Sequence, residues 1–509
     1  MQKGIISIYR NGMTFLMILI MGYLSVSSFL WNADLPLDGV SEKTVFKGTA
    51  WYITIPLVFL ALYALHKYKE KLAAANARKL VAVLLVYDFI LCMFWIVLSN
   101  TIEGADQAQV LYAAKQFAAG NYEKLAYDKY MGLYPYQLPL ALLYEPFYHV
   151  FGDVTPFLWQ FINAFLICGI QYLLYLIVGK CFKKKGIVNL YLVLQFGNLP
   201  LILYVAFVYG TVIGLFFALL SVWFLLKYAD DYKWRNLVLS ALCITWSCLL
   251  RTNNLIVLLA VIIVSVLFFL SDRKRTLLLI PLSLILLFCG RECVYKSYEI
   301  RSGMEIGKGM PFSLNIATGL SDNEERAPGW FNGYTWQVYY DLDCDRSAEN
   351  AFAAARINEA LEKFGASGSY AAGFFCKKIN STWLNPDFQG LWNNEHHGHY
   401  VARAPIVHNL FTGELHSLSQ FLLGNIQFMI YFGTFLSMLC CLFQKETDWK
   451  FFICALIFIG GFVFHLFWET KAQYVIVYYV FLFPYAAEGL SWLSEIVFRK
   501  REDKKNVIR

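Results

Sequence analysis

The sequence predicts an all-α polytopic membrane protein of about twelve transmembrane helices, with juxtamembrane helices and a mixed extracytoplasmic loop domain. Three observations carry this. The 509 residues are 58% hydrophobic and only 16% charged, against roughly 25% charged in an average soluble domain. Apolar runs long enough to cross the roughly 30 Å hydrocarbon core recur from end to end. The basic residues between those runs are also unevenly shared, with 25 Lys and Arg on one face and 7 in the short connections of the other. That is the bias of loops that stay cytoplasmic. The net charge of +7 therefore reads as orientation, with both termini inside, and not as a nucleic-acid surface. Nine of the twelve Cys lie in or beside apolar runs, and no spacing marks a disulfide framework or a zinc knuckle.

In chain order, the crossings are expected near 13–31, 50–66, 80–99, 153–179, 187–206, 210–228, 237–250, 255–270, 277–294, 418–443, 451–468 and 473–493. The first reads as a retained anchor and not a cleaved signal peptide, because its apolar stretch is long and no A-x-A site follows. Segment 134–152, YPYQLPLALLYEPFYHVFG, holds three prolines and Glu145, poor material for a lone spanning helix. It is predicted to be juxtamembrane or re-entrant. Run 237–270 would be about 51 Å long as one helix, so the RTNN break at 251–254 splits it into a hairpin of two short helices. The resulting organisation is an N-terminal helix pair (1–79), a transmembrane core (80–294) with an outer loop at 100–152, an extracytoplasmic domain (295–417), and C-terminal helices with a basic cytoplasmic tail (418–509). Within the extracytoplasmic domain, SAENAFAAARINEALEKF predicts a helix over 347–364 capped by Asp345 or Ser347, and a second helix is expected over 370–383.

Chemistry gathers first in NTIEGADQAQVLYAAKQFAAGNY (100–122). Glu103 and Asp106 stand where a crossing leaves for the outer face. The helix that follows, apolar at Val110, Leu111, Ala114 and Phe117, is expected to lie flat on the interface. Two readings of Asp106 are open: a general base at the membrane surface, or a helix cap with Gln109 completing a capping box. Arg251 offers a planar fork suited to a phosphodiester, or it is an interfacial Arg that snorkels. Lys471 is a second outer cation, or simply the ion-pair partner of Glu469. In NNEHHGHY (393–400), His396, His397 and His399 stand beside Glu395. The residue types suit a transition metal, but adjacent histidines converge poorly on one ion, and a solvated polar turn or a phosphate contact accounts for them as well. Asp88, alone inside a crossing, is expected to bond Gln160, Asn163 or Gln171.

Several of these elements, taken in order, resemble the GT-C fold glycosyltransferases. They are the acid after a crossing, the helix ending AAGNY, the segment YPYQLPLALLYEPFYHVFG, VYGT (208–211), LLRTNN (249–254) and FWETKAQYV (467–475). The nearest types are the protein O-mannosyltransferases and the lipid A aminoarabinose transferase (family 39-like), and the likeness runs over most of 80–490. It implies a membrane transferase acting on the outer face with a polyprenyl-phosphate sugar donor. The acceptor would be a hydroxyl on a cell-surface glycan, lipid or protein. Asp106 matches the family's loop-one carboxylate, with Glu103 its neighbour. It would take the acceptor's proton while the lipid phosphate leaves from the opposite face with inversion. Arg251 and Lys471 would then hold the phosphate. Tyr134, Trp330, Asn332, Glu469 and Tyr474 would contact substrate, with Trp330, Phe331 and Tyr334 stacking on a sugar unless they form the loop's own small core. Two departures stand out. Tyr209-Gly210-Thr211 occupies the turn where relatives carry a second acid, which weakens a bridging role for a divalent metal, and no cofactor is expected. Gln473 stands where relatives often carry Arg. The alternative readings are a transporter or flippase, which would show two related halves with midplane charges, and a non-catalytic scaffold.

Overall fold

The computed structural model describes residues 2–37, 42–271, 273–322, 326–395, 403–444 and 447–506. The chain opens with α1 (Gln2–Leu30), a two-stranded antiparallel hairpin of β1 (Trp31–Asp34) and β2 (Val45–Gly48), α2 (Trp51–Ala74) and α3 (Ala77–Ser99). The first outer loop holds α4 (Ala105–Ala118), α5 (Tyr130–Leu133) and α6 (Leu138–Phe151). Then come α7 (Thr155–Cys181), α8 (Lys185–Gln195), α9 (Leu199–Leu203), α10 (Thr211–Asp231), α11 (Trp234–Leu250), α12 (Leu255–Leu270) and α13 (Leu279–Ser302). The segment expected outside, called the outer domain for that expectation, is built of α14 (Phe312–Gly319), α15 (Tyr334–Asp341), α16 (Arg346–Ala366), α17 (Gly368–Trp383), α18 (Gly390–Glu395) and α19 (Pro405–Thr412). The chain closes with α20 (Glu414–Phe443), α21 (Ile453–Phe467), α22 (Ile476–Tyr479) and α23 (Phe483–Asn506).

Among the described residues eight helices are long and apolar enough to cross a membrane, or nine if the pair bent by 48° after α8 is one span. This is a polytopic all-α membrane protein. The described part of the outer domain is helical, with one β-bridge between Trp330 and Thr470; the expected mixed domain is not seen there. Its alanines and alternating charges favour helix throughout. Asp345 caps α16, accepting from the Ser347 and Ala348 amides, and Ser367 caps α17.

Helical segments follow one another from Pro135 to Cys181, 47 residues that would span about 70 Å as one straight helix, more than twice a bilayer's apolar thickness. Gly152, at φ 55, separates α6 from α7, and α6 turns to pack on α4. Glu145 on α6 is paired, taking Arg301 at 2.6 Å and the Tyr298 hydroxyl from α13. The RTNN break is as read from the sequence: α11 ends at Leu250 and α12 starts at Leu255 after one 3-10 turn.

One expectation changes. The apolar face of α4 does not lie on lipid. Val110, Leu111, Ala114 and Phe117 are buried in protein, against α6 and, for Phe117, Tyr298. The amphipathic pattern was real, but α6 covers it. The N-terminal pair is packed into the rest of the chain. Helix α1 packs on α20 and α2 on α23 and α8, and the hairpin is sewn to the outer domain by Ala33 N donating to Leu384 O (3.0 Å) and Asn385 Nδ2 donating to Ala33 O (2.9 Å). Of Asp88's expected partners, Gln160 and Asn163 donate elsewhere, to the carbonyls of Thr101 and Val205.

Candidate active site

The outer ends of α4, α5, α11 and α21 surround one polar cavity. It is lined by Asp106, Tyr130, Tyr134, Tyr136, Gln137, Tyr209, Arg251, Asn253, Asn315, Glu469, Lys471 and Tyr474 among others. Residues as far apart in sequence as Asp106 and Tyr474 thus face one space.

Asp106 enters it from the first turn of α4. The helix is capped by Gly104, whose position provides no side-chain bond, so the capping-box reading of Asp106 and Gln109 does not hold. Gln107 instead accepts from the Val208 amide at 2.9 Å, tying α4 to the 207–210 connection. The chain reaches Asp106 through Ala105 at φ 48, a left-handed conformation that costs an alanine about 1–2 kcal/mol and stores strain beside the carboxylate. Burial raises Asp106 above the ordinary aspartate value, while Lys471, Arg251 and a hydrogen bond from Tyr130 oppose the rise. The hydroxyls continue as a network. Tyr130 and Tyr209 share a 3.1 Å bond, and Gln137 Nε2 donates to Tyr209 at 2.7 Å.

The two cations differ in kind. Arg251, at the tip between α11 and α12, lays its guanidinium over the Tyr209 ring at 4.5 Å and near Tyr474 at 6.0 Å. Stacking of this sort contributes about 0.5–2 kcal/mol, and the guanidinium also hydrogen-bonds the Tyr209 side chain. Among the described residues Arg251 has no carboxylate within ion-pair distance. Lys471 is fully engaged. It does not pair with Glu469; its ammonium lies 2.7 and 2.5 Å from the two oxygens of Glu42. Glu42 lies in the connection just before β2 and also takes Arg326 at 2.6 Å. Glu469 is raised from 4.5 to about 7 by burial and by the nearby Asp106 charge, against the pull of Lys471 and a bond from Tyr474.

The far wall is held by backbone. Buried Lys378 on α17 donates to the carbonyls of Gly319, Leu466 and Trp468 at 2.5, 2.9 and 2.9 Å. Three carbonyls thus meet the ammonium's three protons. Gly319 has no room for a Cβ, which would sit 2.3 Å from Phe467 O. Thr470 N donates to Gly329 O at 2.9 Å and Glu469 N to Asn315 O at 3.0 Å. These bonds set the turn that presents Glu469 and Lys471.

Of the residues singled out by sequence, Asp106, Tyr134, Arg251, Glu469, Lys471 and Tyr474 line the cavity; Glu103, Trp330 and Asn332 do not. Glu103 faces Tyr148, and burial raises its carboxyl. Trp330 is 1% exposed, in a cluster with Leu35, Ala327, Trp392 and Ala472, and its Nε1 donates to Ser381. Asn332 Oδ1 accepts from the Tyr334 amide. Only Phe331 of that stretch reaches the cavity. His396, His397 and His399 lie outside the described residues. Among the described residues no group of three or more His, Cys, Asp or Glu is gathered for a metal. Sequence reasoning missed Tyr130, Tyr136 and Gln137, which flank Tyr134 and carried that signal, and Glu42, which carried none.

No protein-family model and no curated protein matches the chain. Among solved structures it is similar to the archaeal oligosaccharyltransferase AglB from Archaeoglobus fulgidus, solved in complex with an inhibitory peptide and a dolichol-phosphate. The TM-score is 0.42 with 14% identity, covering 84% of this chain and 51% of that one. The chain thus spans about half the length of that protein.

Proposed function

We propose that this chain is an inverting membrane glycosyltransferase that moves a sugar from a polyprenyl-phosphate donor to a hydroxyl acceptor on the outer face. The reading includes twelve crossings with both termini inside, as the basic-residue bias implies. The observation that supports it most is the meeting of Asp106 and Arg251 in one cavity, a partly buried carboxylate of raised basicity together with a guanidinium that, among the described residues, has no carboxylate partner. The acceptor oxygen attacks the anomeric carbon as Asp106 takes its proton. The carbon–oxygen bond to phosphate breaks on the other side, and the electron pair leaves with the lipid phosphate, which Arg251 meets. One carboxylate and one cation suffice for this single displacement.

A cleft of about 520 Å³ adjoins the cavity, sharing Tyr136, Thr252 and Phe312 with it. Leu249, Leu255 and Leu287 line its wall. These are the outer ends of α11 and α12 and the lipid-facing α13, a route by which an isoprenoid chain enters from the bilayer. The test is transfer of labelled sugar from a polyprenyl-phosphate donor by purified protein in lipid. Asp106→Asn should lower kcat by about 10²–10⁴-fold with helix content and melting temperature unchanged. Full activity in that variant would remove the base from Asp106 and the reading with it.

A further inference from the structure

The charges around Asp106 extend into the N-terminal hairpin, through Glu42. Facing it are Arg251 from the α11–α12 tip, Lys471 and Glu469 from the turn after α21, and the hydroxyls of Tyr130, Tyr136 and Tyr209. Glu42, which comes from outside the cavity lining, meets Lys471 with both carboxylate oxygens at 2.7 and 2.5 Å. Glu42 and Lys471 are each 8% exposed. Their separation of 429 residues makes this contact a choice of fold and not of local sequence. Arg326, hydrogen-bonded to Phe331 O, holds the same carboxylate from the outer domain side. The Lys471 ammonium also lies 5.2 Å from the Phe331 ring. A lysine tied this way has no freedom to swing, and its field at the cavity is opposed by a carboxylate in direct contact.

We propose that Glu42 is a positioning residue of the active site: it pins the Lys471 ammonium and weakens that ammonium's field at Asp106. This rests on the glycosyltransferase reading with Asp106 as base. A carboxylate in direct contact with an ammonium offsets part of its long-range effect, so Lys471 acts on Asp106 less strongly than it would alone, beside Arg251. Remove Glu42, and an uncompensated cation next to Asp106 favours its anionic form and weakens it as a base. The same step frees Lys471 for phosphate. The Glu42 charge is felt at Asp106 with the sign this requires, opposite to that of Lys471.

The test uses the full-length protein in phosphatidylethanolamine/phosphatidylglycerol vesicles with a labelled polyprenyl-phosphate sugar. Donor binding is followed separately by quenching of Trp468, a cavity-lining residue, with polyprenyl phosphate alone. Glu42→Gln keeps an acceptor for Arg326. It should move the acidic limb of kcat about one unit to lower pH, lower kcat several-fold, and leave polyprenyl phosphate bound as tightly or more tightly. Lys471→Met should move the limb up and weaken binding. The double variant should return the limb to its starting place. A limb that stays put in both single variants, or looser phosphate binding in Glu42→Gln, overturns the inference while Asp106→Asn still reports on the reading beneath it. Absence of transfer in the unaltered protein sinks the reading. In that case binding still decides, because looser phosphate binding in Glu42→Gln again counts against the charge role. A Glu42→Gln protein that does not fold makes Glu42 a structural strut, and the inference fails.

Discussion

Two turns of this protein have nearly the same composition and opposite fates. YMGLYPYQ (130–137) and WFNGYTW (330–336) are both short, aromatic and interrupted by Gly or Pro. In the first, Tyr130, Tyr134, Tyr136 and Gln137 all line the cavity, with Gln137 and Tyr130 meeting the Tyr209 hydroxyl there. In the second, the polar tips are spent on structure. Trp330 donates to Ser381, Asn332 accepts from the Tyr334 amide, and Trp336 donates to the Tyr134 hydroxyl. The first turn bonds polar tips to Tyr209 across the cavity wall, and the second bonds most of its own into the surrounding fold.

The largest effect that would break this contrast is expected from Trp330→Ala. It removes a fully buried indole and should lower stability by about 3–5 kcal/mol, read as a fall in melting temperature. Donor KM per folded molecule should not change. A raised KM in a protein of unchanged stability would return Trp330 to the substrate. Next comes Arg251→Lys, which keeps the charge and loses the planar fork stacked on Tyr209. Donor KM should rise about ten-fold or more, and an unchanged KM would make Arg251 a helix anchor. A smaller effect sharpens the electrostatics. Glu469 is raised to about 7, so its charge develops near neutrality and disfavours the anionic form of Asp106. Glu469→Gln should move the acidic limb of kcat to lower pH. Because the folded value lies above the ordinary 4.5, Glu469 contributes stability below about pH 4.5 that is lost as pH rises through about 7. The variant should flatten that decline in chemical denaturation. The smallest change belongs to Asn332→Ala, which loses one turn bond at 3.1 Å, about 0.5–1.5 kcal/mol, and should leave transfer intact.

How much of this was legible in the sequence depended on whether a residue's partner was near it in the chain. Asp106, Arg251 and Lys471 stood out because a lone charge at the end of an apolar run has few explanations. The break at 251–254 was forced by length alone. The face of α4 was legible as apolar, but periodicity reports that a face is covered and not by what, so α6 was mistaken for lipid. Glu42 and Lys378 gave no signal. Their meaning lies in contacts with Lys471 and with three carbonyls across the outer surface, and an isolated Glu or Lys in a polar stretch looks like any solvated side chain. Trp330 was read for its ring, while its backbone matters too, through the bridge to Thr470 that shapes the turn carrying Glu469 and Lys471.

Helix α13 forms one side of the cleft beside the cavity, yet only 11% of its most apolar stretch is buried in protein. Its tilt is therefore set as much by the surrounding acyl chains as by its neighbours. Thinner or thicker bilayers should narrow or widen the gap between α13 and α11. On the proposed reading, the entry of a long isoprenoid is then tuned by membrane composition, and the lipid is part of the doorway.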